Sequence, residues 1–90
     1  MNQNKFTTKP DYITHIIACK LAEENIIIFI DDDKKEEISL LISNKDIIEE
    51  EHLDLSEVIT NSILEDVICF NGDKQKMIDI INNIIKKEGL

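Results

Sequence analysis

The stretch Ile26-Ile27-Ile28-Phe29-Ile30-Asp31-Asp32-Asp33-Lys34-Lys35-Glu36-Glu37-Ile38-Ser39-Leu40-Leu41-Ile42 decides the fold class. Its first five residues are β-branched or aromatic, a composition that suits a buried strand. Asp31–Glu36 then reads as a polar turn. Glu37–Ile42 alternates well enough to return as the second strand of a hairpin. The competing reading makes 34–43 a helix with Ile38, Leu41 and Ile42 facing inward. The hairpin is preferred here, and it makes the chain α+β but mainly helical. The expected architecture is four helices with one two-stranded β-hairpin, in the order α-β-β-α-α-α.

Working outward, residues 1–7 read as a flexible N-terminal arm and residues 8–90 as a single globular domain. Thr8-Lys9-Pro10-Asp11 supplies a cap hydroxyl, an early proline and an acid, which together start a helix. Ile13, Ile16, Ile17, Ala18 and Leu21 form its inner stripe, and Asn25 stops it. After the hairpin, a short helix runs from a serine cap at Ser43 to about His52. A second begins at Asp54, where Asp54 and Glu57 form a capping-box variant and Leu53 and Val58 the apolar staple. Leu55, Val58, Ile59, Ile63, Val67 and Ile68 continue its stripe, and Asn71-Gly72 ends it. Asp73 caps a last helix with Met77, Ile78, Ile81, Ile84 and Ile85 inward and Lys86 and Lys87 at its C-terminal dipole.

Ninety residues suffice for one domain. Isoleucine supplies 19 of them, so a core can form although the only aromatics are Phe6, Tyr12, Phe29 and Phe70. Arg and Trp are absent and all ten basic residues are Lys, a composition that points to an AT-rich coding source such as a low-GC bacterium, a phage or a virus. Without a guanidinium, the chain has no bidentate group for phosphate or carboxylate recognition. Cys19 and Cys69 follow no secretory signal, so two buried, reduced thiols in a cytoplasmic protein are expected. The longest apolar run, Ile26–Ile30, is far too short for a membrane span.

The net charge of −9 is local. Asp46, Glu49, Glu50, Glu51, Asp54, Glu57, Glu65, Asp66 and Asp73 occupy a window of 28 residues that contains no lysine, whereas ten acids face ten lysines outside it. A patch of one sign draws in partners of the other. It also argues against direct nucleic-acid binding, which needs a positive footprint.

The run Ile26–Lys34 resembles the first strand and acidic pocket of bacterial receiver domains, which would imply that Asp31–Asp33 hold a divalent cation beside a phosphoacceptor. The resemblance covers nine residues, and the chain lacks the length for the alternating units of such a domain. An exposed turn of three aspartates is the preferred reading. His15 and Cys19, with His52 and Cys69, have the ligand count for tetrahedral zinc but not the paired spacing. No Ser or Cys stands in a pattern that marks it as activated, and with only Gly72 and Gly89 there is no phosphate loop.

These readings converge on a non-catalytic protein-binding module without metal or cofactor, of the acidic inhibitor, immunity-protein or DNA-mimic type. Its expected partner-binding residues are Asp46, Glu49, Glu50, Glu51, Asp54, Glu57, Glu65 and Asp66, and its expected partner is a basic nucleic-acid-binding protein or nuclease. The alternative is a small assembly subunit that acts as a homodimer or through an apolar helix surface.

Overall fold

The structure, a computed structural model, describes residues 8–70 and 72–90. The arm expected over residues 1–7 lies outside them. Five helices follow in order: α1 (Lys9–Glu23), α2 (Asp32–Ser43), α3 (Lys45–Glu50), α4 (Leu55–Leu64) and α5 (Lys74–Lys87). There is no strand among the described residues, so the α+β expectation and its hairpin are overturned. The protein is all-helical.

Both halves of the expected hairpin fail for identifiable reasons. Residues 26–30 form an irregular connection between α1 and α2. Ile27 and Ile30 plug into the core, whereas Ile28 and Phe29 are 80% and 78% exposed. Asp31 is not a turn residue but an N-cap, its carboxylate accepting from the Lys34 amide at 2.8 Å. Asp32 and Asp33 fill the first turn, where acids complement the dipole. On the resulting helix Ile38 and Ile42 are buried, four residues apart, and Leu40 between them is 62% exposed. A strand would have put all three on one face.

The starts of α1, α4 and α5 follow the sequence signals, whereas the serine cap expected at Ser43 does not form. Thr8 caps α1 by accepting from the Asp11 amide at 3.3 Å. Asp54 caps α4 and Asp73 caps α5. Three helices end in the same Schellman geometry. After α1, Asn25 (φ 57°) takes the left-handed position, with bonds from its own amide to the Ala22 carbonyl and from the Ile26 amide to that of Leu21. His52 (φ 62°) does this after α3 and Gly89 (φ 81°) after α5. A histidine in that region is strained by roughly 1–2 kcal/mol relative to glycine.

α4 is shorter than expected. It stops at Leu64, and Ile68, assigned from sequence to its inner stripe, is fully exposed. Its closing carbonyls are nonetheless all paired. Those of Asn61, Ile63 and Leu64 accept from the amides of Glu65, Asp66 and Val67, and that of Ser62 accepts from the ammonium of Lys34. Gly72 does not terminate this helix. A Cβ there would come 2.7 Å from the Phe70 ring, so the residue permits a close approach. α3 follows α2 with only Asn44 between them, a cap without a side-chain bond, and the Ser43 hydroxyl turns back to the Ser39 carbonyl instead.

α1 packs on α2 and α5, and α4 packs on α2 and α5, which closes a four-helix ring with α3 against α4. Among the described residues, eleven of the fourteen buried apolar ones are Ile, with Leu21, Leu55 and Met77 completing the set. The stiff isoleucines replace aromatics as the bulk of the interior. Buried hydroxyls are satisfied: Thr14 bonds the Pro10 carbonyl at 2.8 Å and, across to α2, Ser39 at 2.9 Å, and Thr60 bonds the Ser56 carbonyl. No helix is long and apolar enough to cross a membrane among the described residues.

The helix in place of the hairpin is open to direct test. Ile38→Ala is expected to cost about 2–4 kcal/mol in urea unfolding, and Leu40→Ala less than about 0.5 kcal/mol. Two strand residues of one face would have given similar losses.

Candidate functional site: an acidic surface divided by two lysines

The eight carboxylates singled out from the sequence are all exposed, but they do not form one uncompensated field. Asp46 and Glu49, on α3, lie 3.3 and 4.0 Å from the Lys45 ammonium, which stands one residue outside the acidic window. Asp54 is engaged as the α4 cap, accepting from the Ser56 amide and hydroxyl. Glu65 and Asp66, at the far end of α4, face Lys34 of α2. Glu50, Glu51 and Glu57 form no ion pair among the described residues.

Lys34 is the feature that sequence reading missed. It stands on the inner stripe of α2, four residues before Ile38, and is only 6% exposed. Its ammonium donates to the Ser62 carbonyl at 2.6 Å, to the Ser62 hydroxyl oxygen at 3.3 Å and to Glu37 at 3.2 Å, with Asp66 at 3.3 Å and Glu65 at 3.6 Å. Ser62 in turn donates its hydroxyl to Glu37. Burial works against the charged form of Lys34, but the hydrogen bonds and charges of Glu37 and Asp66 outweigh it and hold its pKa above the ordinary 10.5. Glu37 is held below the ordinary 4.5, first by the Ser62 hydroxyl and then by Lys34, against a smaller opposing effect of desolvation.

This cluster sets a limit on chemistry. A lysine kept protonated cannot serve as a general base toward Ser62, and a carboxylate kept ionised by two donors is a weak one. The arrangement is a fastening between α2 and the C-terminal end of α4.

The other candidates also have definite places. Asp31 caps α2, with Asp32 and Asp33 in its first turn. His15 and Cys19 meet at 3.4 Å on the surface of α1, while His52 closes α3 and Cys69 lies in the connection from α4 to α5. Among the described residues, no three His, Cys, Asp or Glu side chains converge as metal ligands. Both cysteines are exposed, which corrects the expectation of buried thiols. A free cysteine is a usually buried residue type, but Cys19 falls on the outer face of α1.

The exposed acids of α3 stand out by their position. Glu49 and Glu50 end the helix and Glu51 is its C-cap, where the dipole is negative and a cation would be favoured. Each acid there is unfavourable by about 0.3–1 kcal/mol. Glu57, in the first turn of α4, is favourably placed.

The fastening has a pH signature. Because the Glu37 pKa is lower in the folded state, its contribution is fully present above about pH 4.5 and is lost as pH falls through the folded value. Glu37→Gln is therefore expected to flatten the acid limb of a stability–pH curve. The Lys34 contribution, from a raised pKa, is lost only above about pH 10.5, so it is intact throughout the neutral range. Lys34→Met, which strands the Ser62 carbonyl, is expected to cost about 2–3 kcal/mol at pH 7 by chemical denaturation.

Comparison with known protein families, with characterised proteins and with solved structures finds no match to this chain.

Proposed function

We propose that the chain is a non-catalytic binding module that docks a basic protein and blocks its nucleic-acid or active site, an inhibitor, immunity or DNA-mimic role. One observation carries the reading. Glu50, Glu51 and Glu57 stand exposed around the joint of α3 and α4 without ion-pair partners among the described residues, and two of them sit where the helix dipole opposes them. The fold gains nothing from Glu50 and Glu51, and residues that violate a local rule without structural return are the ones that function explains best. Ile47 and Leu53, 59% and 53% exposed, lie among these acids and supply apolar contact. Exposed, reduced thiols suit a cytoplasmic location.

The second reading, a small assembly subunit, rests on a different observation: Ile28, Phe29 and Ile68 are the most exposed large hydrophobic side chains of the described residues.

Immobilised protein exposed to extract of its native host is expected to retain a basic partner at about 50 mM salt and release it toward about 500 mM. The variant Glu50→Lys/Glu51→Lys/Glu57→Lys is expected to lose that partner with unchanged helix content by circular dichroism. Its stability should be equal or slightly higher, because two cations now meet the α3 C-terminus. Retention that is indifferent to both salt and charge reversal sinks the docking reading.

A further inference from the structure

The two connections that sequence reading took for a strand and a helix end lie side by side. Ile27 and Val67 together line two neighbouring clefts, one continuing to Phe29, Ile30 and Ile63, the other to Ile26, Cys69 and Phe70. The inward residues Ile27, Ile30 and Val67 do the packing. The residues next to them face solvent: Ile28 is 80% exposed, Phe29 78% and Ile68 104%. The amides of Ile28, Phe29, Ile30 and Ile68 donate to no backbone carbonyl among the described residues. One end of the helix ring therefore presents three large, solvent-facing apolar side chains on irregular connections. Single exposed apolar residues are ordinary, but a cluster from two adjoining segments marks a contact surface.

Charge at the same end selects the occupant. Asp31 and Asp66 share the first cleft with Phe29. Its one cation, Lys34, is already surrounded by three carboxylates, those of Glu37, Glu65 and Asp66. In the second cleft Lys76 is paired with Glu24 at 3.6 Å, which leaves Asp73 in excess. A second copy docked end to end would set these acidic rims against each other, and like charges across an interface discriminate strongly against a partner. A basic partner meets no such penalty.

We propose that this apolar end is the anchor of the docking surface, occupied by a basic protein segment that seats apolar side chains on Ile28, Phe29 and Ile68 while its lysines or arginines reach Asp31, Glu65 and Asp66. The proposal rests on the docking reading above and relocates its centre from α3 to the paired connections. Central apolar contacts inside a charged rim set residence time, whereas the rim sets encounter rate.

Two synthetic amphipathic peptides with identical apolar positions, one otherwise rich in lysine and one in glutamate, serve as probes against isotope-labelled protein followed by NMR. The lysine peptide is expected to shift the amides of Ile28, Phe29 and Ile68 and to bind at least about tenfold more tightly than the glutamate peptide. Phe29→Ser/Ile68→Ser is expected to weaken it by about tenfold or more, with the α3 amides and the far-ultraviolet spectrum unchanged. Lysine-peptide shifts confined to α3 and indifferent to the double substitution overturn the anchor and leave acidic docking standing. Binding of neither peptide overturns both. A wild-type dimer in sedimentation that Phe29→Ser/Ile68→Ser converts to monomer assigns the surface to a second copy and overturns the proposal.

Discussion

The ammonium of Lys34 is the point on which the arrangement of this protein turns. It leaves α2 in the first turn, enters the interior on the stripe shared with Ile38 and Ile42, and takes the Ser62 carbonyl near the end of α4. A charge so deeply placed is unfavourable unless paired and hydrogen-bonded, and here every donor direction finds oxygen: one carbonyl, one hydroxyl and three carboxylates. A positive group at the negative end of α4 is also favoured by the dipole of that helix. The ammonium helps fix where α4 stops and holds α2 beside it. It also neutralises part of an acidic segment that looks uncompensated in one dimension.

That neutralisation changes the geography of the charge. Along the sequence the acids form one block, but in space they fall into two groups separated by the length of α4. The group at Glu65 and Asp66 is tied to Lys34 and belongs to the apolar end of the ring. The group at Glu50, Glu51 and Glu57 surrounds the joint between α3 and α4, with Lys45 drawing Asp46 and Glu49 partly away. The two groups differ in what engages them: one is tied into a helix contact beside an apolar surface, the other faces solvent without an ion-pair partner among the described residues.

How much of this was legible depended on whether a signal was local. Thr8, Asp54 and Asp73 announce helix starts through their own side chains, and the stripes of α1 and α5 repeat often enough to be read directly. α2 was misread because two local signals compete at Ile26–Asp33, and because its inner stripe begins with a lysine. A charged residue at an inward position hides the four-residue spacing Lys34, Ile38, Ile42, and the remaining alternation imitates a strand. The end of α4 was misplaced for the complementary reason. Val67 and Ile68 extend its apolar pattern, yet the residue that closes the helix is 28 positions away in sequence. Neither the pairing of Glu65 and Asp66 with Lys34 nor the exposure of Ile28, Phe29 and Ile68 has any signature within its own segment.

A core built on isoleucine has an optical consequence. The ring systems of the described residues lie at or near the surface: Tyr12 is 43% exposed, Phe29 is 78% exposed and Phe70 is only partly buried. Tryptophan is absent from the chain. Among the described residues the interior therefore holds no aromatic ring, and their aromatic absorbance and near-ultraviolet dichroism report on the periphery. In most small domains those signals follow the melting of the core. Here, among the described residues, they sample the periphery, with Phe29 open to solvent and Phe70 at the edge of the core.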